Sequence, residues 1–240
     1  MGHYLIIGAT KGVGLSLAKI LGNQGHSLTT FSRSVESALN PDEQNSHEPI
    51  HMSHFCVDTS SEAPEFPEIT DPIDGLVYLP GTVNLKPFSL LKTQDYHNDF
   101  QINVIGAIES IKHYLPNLLK SPHASIVLLS SVAASTGFPM HCSIGASKGA
   151  LIGFMRSLAS EYAPKIRVNC VSPSLTITPL TKHLTDTNQK KEGSAKKHPL
   201  KRLGTPEDIA ETVAFLLSSK SSWITGQNFP VDGGISTLIS

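Results

Sequence analysis

The sequence predicts an α/β chain folded as one domain on a doubly wound, mostly parallel sheet of about seven strands. Short β-type runs alternate with amphipathic helical stretches along its 240 residues, the order that lays helices on both faces of a parallel sheet. Several runs, "IVLL" among them, are continuously apolar, as strands buried on both faces are. A glycine-rich turn, "GATKGVG", follows the first of them.

Strands are predicted at residues 4–7, 27–31, 54–57, 75–78, 125–129, 167–171 and 228–231. After the first, Val13, Leu17, Ile20 and Leu21 recur at helical spacing. Later, Leu151, Met155, Leu158, Ala159 and Tyr162 share one helical face, and Ile209, Val213, Leu216 and Leu217 share another. The last helix has a readable start: Thr205 can cap it, Pro206 suits its first position, and Glu207 and Asp208 complement its positive end. Residues 34–49 and 181–199 are polar and turn-rich, and the second stretch reads as a loop long enough to serve as a lid.

Lys and Arg number 19 against 20 Asp and Glu, a net charge of −1 with no long run of either sign. That balance points away from nucleic acid and membrane surfaces and toward a small-molecule ligand. No apolar run reaches the roughly 18 residues of a membrane span, and the first strand begins too close to Met1 for a signal peptide, so a cytoplasmic protein is expected. Cys56, Cys142 and Cys170 are far apart and read as reduced packing thiols. His51 and His54 lack a third ligand, so no metal site is expected, and no Gly-x-Ser-x-Gly elbow supports a hydrolase.

The turn is where chemistry enters. Gly8, Gly12 and Gly14, with Thr10, Lys11 and Val13 between them, let backbone approach a pyrophosphate whose charge meets the free N–H groups of the helix start. At the end of the second strand "TTFSRS" carries Ser32 and Arg33, where a carboxylate would repel a 2′-phosphate. Arg33 and Lys11 therefore favour NADP(H) over NAD(H).

The Gly-x-x-x-Gly-x-Gly spacing resembles that of the short-chain dehydrogenase/reductase family. The resemblance extends through Val57 and Asp58, a loop at Gly81, "INVIG" around Asn103, "IVLLSSVAA" around Ser131, "GASKGAL" around Lys148, "IRVNCVSP", and the tail "RLGTPEDIAETVAFLLSSKSSWITGQNFPVDGG". It implies a Rossmann-type fold, a homo-oligomer (tetramer or dimer), and a substrate lid around residues 174–200. It also implies that Asp58 contacts adenine, that Gly81 or Asn84 lines the cleft, that Lys148 holds the nicotinamide ribose, that Ser131 polarises a substrate oxygen and that Asn103 orders a water. Two departures stand out besides the one that follows: "YLPG" at 78–81 replaces the family's Asn-Asn-Ala-Gly, and Ser174 replaces its glycine.

The family's catalytic tyrosine lies four residues before the lysine, and that position is Ile144. Isoleucine has no hydrogen-bonding or ionisable group. Three readings stay open. His141, seven residues before Lys148, could supply the proton if the helix extends that far, a spacing at which some enoyl-reducing relatives carry their tyrosine. The reaction could need no tyrosine, as in reduction of an activated double bond. Or the protein binds NADP(H) without catalysis and serves a regulatory or scaffold role. Tyr78 and Tyr96 read as packing residues rather than donors, and Phe138, Met140, Ile144, Leu175, Leu180 and Leu184 suggest an apolar substrate pocket.

Overall fold

The computed structural model describes residues 1–34 and 50–239. Of the polar stretch predicted at 34–49, all but residue 34 lies outside the described residues. The seven strands are β1 His3–Ile7, β2 Ser27–Ser32, β3 Met52–Cys56, β4 Gly75–Tyr78, β5 Ala124–Leu129, β6 Ile166–Pro173 and β7 Asn228–Val231. They form one sheet in the order β3-β2-β1-β4-β5-β6-β7, every neighbouring pair parallel. "Mostly parallel" thus becomes wholly parallel. The third strand starts two residues before its predicted place and ends one before, and the sixth runs two residues further, its end paired with β7 through Pro173 and Val231.

Alternate side chains of β1 divide between two cores. Leu5 and Ile7 face a cluster with Ile111, Tyr114 and Leu118 of α3 (Gly106–Lys120) and Leu151, Met155 and Ala159 of α4 (Cys142–Tyr162). Tyr4 and Ile6 face α1 (Gly12–Asn23) and α7 (Pro206–Leu217), where Leu17, Leu21, Ile209 and Val213 are buried. Each such side chain contributes about 1.5–3 kcal/mol by leaving water, so the strand period of two and the helix period of 3.6 are locked together. The start of α7 is as read: Thr205 Oγ1 accepts from the Asp208 N–H at 3.3 Å, and the Asp208 carboxylate accepts from the Thr205 N–H at 2.8 Å.

Strand order reverses between β1 and β4, and the chain departs in opposite directions from their C-terminal ends. A crevice for a ligand opens at such a point. Two helical segments lead toward it from one side: α2 (Thr93–Phe100) continues through a π-helical turn, Gln101–Ile105, into α3. Residues 174–200, the segment predicted to serve as a lid, are more ordered than their composition predicts. Pro179–Thr181 forms a 3-10 turn, followed by α5 (Lys182–Thr185) and α6 (Asn188–Ala195). Thr187 caps α6 by accepting from the Lys190 N–H at 3.2 Å, and Lys190 pairs with Asp186 at 2.9 Å. Among the described residues no helix is long and apolar enough to cross a membrane.

Candidate active site and cofactor cleft

At the crevice the glycine turn is built for close approach. Gly8 and Gly12 have φ of +88° and +54°, a region where a side chain is strained. A Cβ on Gly14 would lie 2.1 Å from the Gly8 carbonyl oxygen, so α1 meets β1 at a distance that only glycine permits. Lys11, just before α1, makes no side-chain cap bond, and the first turn carries no acid. The leading amides are left for an anion, and the cradle fits a diphosphate.

Arg33 stands exposed past the end of β2, where its charge helps hold the Asp58 carboxyl below the usual range. The larger cause at Asp58 is the Ser60 hydroxyl, which donates to it at 2.5 Å. His54 of β3 bonds Thr30 Oγ1 at 2.9 Å and the Ser34 carbonyl at 3.0 Å, bracing the chain on either side of Arg33.

The π-turn aims Asn103. Its widened backbone frees the Ile102 carbonyl, which accepts from the Tyr78 hydroxyl at 2.6 Å. Burial pushes the Tyr78 pKa up to about 12, so this tyrosine is a structural donor, as the packing reading held. Asn103 is fully buried. Its Nδ2 donates to the Asp99 carbonyl at 2.8 Å and to Thr82 Oγ1 at 2.9 Å, with Ser147 Oγ further off at 3.3 Å. Its Oδ1 has no partner among the described residues.

Lys148 converges on the same place from α4. It is buried, and its Nζ donates to the Leu129 carbonyl at 2.7 Å. A point one Cβ away from Gly81 lies 3.2 Å from both Lys148 Nζ and Asn103 Oδ1. Burial lowers the Lys148 pKa to about 8, opposed by the charges of Cys170 and Asp99. Ser130, whose Oγ donates to the Lys148 carbonyl at 3.0 Å, ties α4 to the end of β5.

Ser131 follows, its Oγ accepting from the Ala133 N–H at 3.2 Å, which leaves its own proton without a protein acceptor among the described residues. The short turn it starts, Val132–Ala134, packs on α4 so closely that a Cβ on Gly145 would lie 3.0 Å from the Ala133 carbonyl. Ile144, one turn before Lys148 and beside Gly145, is buried.

The helix begins at Cys142, one residue past His141, so the condition set for His141 to act from it is not met. Met140 turns back through φ +67°, and His141 precedes Cys142 with φ −106°. Its Nδ1 lies 2.7 Å from the Pro139 carbonyl and its ring 5.5 Å from that of Phe138. A carbonyl only accepts, so Nδ1 carries the ring N–H and Nε2 presents its lone pair. Of the predicted apolar pocket, Ile144 is buried, Phe138, Leu175 and Leu184 are half-buried, and Met140 and Leu180 are exposed. Asn84 is placed beside Asp95 and contributes, after Lys86 and Lys92, to holding its carboxyl below the usual range.

Fold and cleft together define an oxidoreductase class, and the chain belongs to the short-chain dehydrogenase/reductase family. A family model described as enoyl-(acyl carrier protein) reductase matches residues 8–236. The chain is 32% identical over 237 residues to carbonyl reductase family member 4 of Xenopus laevis, covering 96% of each chain. It is 33% identical over 235 residues to the 3-oxoacyl-[acyl-carrier-protein] reductase FabG of Buchnera aphidicola subsp. Schizaphis graminum, again covering 96% of each. Among solved structures it resembles a short-chain dehydrogenase/reductase from Brucella melitensis (31% identity, TM-score 0.84, covering 100% of this chain and 97% of that one). It also resembles ElxO with NADP bound (25% identity, TM-score 0.86, covering 99% and 100%).

Sequence reasoning missed Asp99, Thr82 and Ser143, which pack around Asn103. The one available signal was spacing: Asp99 lies four residues before Asn103, one helical turn away.

Proposed function

We propose that the protein is an NADP(H)-dependent oxidoreductase that reduces a carbonyl or an activated double bond without a tyrosine at position 144. The observation that carries this reading is the convergence of Asn103 Oδ1 and Lys148 Nζ beside Gly81. An unpartnered buried acceptor costs about 1–3 kcal/mol, and a lowered lysine adds to that cost, so the pair fits a site completed by a bound molecule. The relatives' names as carbonyl and 3-oxoacyl reductases, and NADP bound by ElxO, agree.

In this reading the amides of residues 12–14 bind the diphosphate, Arg33 and Lys11 the 2′-phosphate, and Asp58 the adenine. Lys148 donates to the nicotinamide ribose. When bound, the nicotinamide supplies the hydride. Ser131 donates its free O–H to the substrate oxygen, while Ile144 presents hydrocarbon where the family has a phenol. Losing a general acid of that kind costs about 10²–10⁴ in rate for a ketone, and less where the acceptor carbon is already activated. The proton that completes the reduction comes from water. The 174–200 segment, with Thr178 packed over Gly12, serves as the lid.

Ile144 also favours a second reading, a nucleotide-binding protein without catalysis, because burial of an apolar side chain there leaves no donor one turn above Lys148. NADPH consumption against ketones, quinones and activated enones, run beside Ile144→Tyr, separates the two. Turnover by the unmodified protein supports the reductase. Turnover by Ile144→Tyr alone replaces it with the regulatory or scaffold reading.

A further inference from the structure

Asp99 is a buried carboxylate inside the site, and among the described residues no cation lies within ion-pair distance of it. It receives an O–H on each oxygen, from Thr82 at 2.6 Å and from Ser143 at 2.5 Å. Proton bookkeeping then fixes its neighbour. The single Thr82 hydroxyl proton goes to Asp99, so Thr82 Oγ1 can only accept from Asn103. The Asp99 carbonyl also accepts from Asn103. Both Nδ2 protons are thereby used, and a flipped amide would set Oδ1 against two acceptors. Oδ1 has one direction left, toward Gly81 and Lys148.

We propose that Asp99 is the positioning residue of this site: through Thr82 it locks the Asn103 amide with its oxygen toward Gly81 and Lys148. This rests on the reading of Lys148 as the group that holds the nucleotide ribose.

The test combines Thr82→Val, Thr82→Ser and Asp99→Leu, each checked for folding by thermal melting. Two measurements are made. One is hydrogen exchange of the Asn103 side-chain amide, followed by NMR in 15N-labelled protein without nucleotide and assigned with Asn103→Ala. The other is NADPH affinity by fluorescence. Thr82→Val and Asp99→Leu are expected to quicken the amide exchange and to weaken NADPH binding roughly tenfold, the loss of one hydrogen bond, and Thr82→Ser to restore both. Equal exchange and equal affinity of Thr82→Val and Thr82→Ser overturn the lock, and do so even if Asp99→Leu fails to fold. Failure of the unmodified protein to bind NADPH strikes the nucleotide reading instead, and the Asn103 exchange still decides the role of Asp99.

Discussion

A Cβ added to Gly14 would stand 2.1 Å from the carbonyl oxygen of Gly8 and 2.8 Å from the Cα of Ala9. Both neighbours are backbone, so neither can turn aside as a side-chain tip would. Gly14→Ala must push α1 away from β1 and open the diphosphate cradle. The expected cost is about 1–3 kcal/mol, the usual penalty of overpacking, or a drop of several degrees in melting temperature. NADPH binding should fall at least about tenfold, the loss of one good hydrogen bond. A variant with unchanged melting and affinity would show that the turn has slack the geometry denies.

The Lys148 amine gives stability a pH dependence of known sign. Burial lowers its pKa to about 8 from the ordinary 10.5. The folded chain therefore holds this proton less tightly than the unfolded chain does. Its charge opposes folding in full below about pH 8, and the opposition fades as pH rises toward 10.5. Lys148→Met carries no such term. The variant's melting temperature relative to the unmodified protein should fall as pH rises from 8 to 10.5, by about 1.4 kcal/mol per unit, or roughly 3–6 °C. A difference that stays flat over this range would place Lys148 in contact with water.

What the sequence made legible, and what it hid, follows from the range of the interactions. All seven strands and the glycine turn were readable because each is written locally, in apolar runs such as "IVLL" and in residues whose backbone must be left-handed. The cap of α7 was readable for the same reason: Thr205 and Asp208 are three residues apart. Residues 174–200 were not, because a polar composition says nothing of the Ser174 hydroxyl meeting His198 from the other end of the segment. The aim of Asn103 was hidden too. It depends on Tyr78, from another strand, taking up the Ile102 carbonyl, and on Thr82 and Asp99, which no motif marks. The start of α4 turned on Met140 adopting a positive φ, a conformation sequence rarely announces outside glycine and asparagine.

That Ser174–His198 bond joins the two ends of the 174–200 segment. Ser174 Oγ lies 2.8 Å from His198 Nε2, and His198 Nδ1 lies 2.9 Å from the Ser194 carbonyl, so the ring is held on both sides in a buried position. The Ser194 carbonyl assigns the proton to Nδ1, leaving Nε2 to accept from the Ser174 hydroxyl. Ser174→Ala strands a buried acceptor, at about 1–3 kcal/mol. Hydrogen exchange should quicken by roughly tenfold or more across residues 176–198, with the amides of β1, β4 and β5 unchanged. Uniform quickening would mean that the bond supports the whole domain and not this segment in particular.

Nucleotide preference should rest on Arg33. It stands exposed past β2 with the chain braced by His54 on either side, and no carboxylate occupies the end of that strand. Asp58, whose pKa it helps to lower, is chiefly engaged by Ser60, so the guanidinium is not tied down by an ion pair of its own at 4 Å or less among the described residues. A charge-assisted bond to a phosphate contributes about 1.5–3 kcal/mol. Arg33→Ala should therefore weaken NADPH binding roughly 10- to 100-fold and leave NADH affinity nearly as it was. The two affinities, measured by fluorescence titration at fixed ionic strength, separate the possibilities. If both fall together, Arg33 shapes the pocket without reading the phosphate. If neither moves, Lys11, at the opposite side of the turn, becomes the residue that carries the preference.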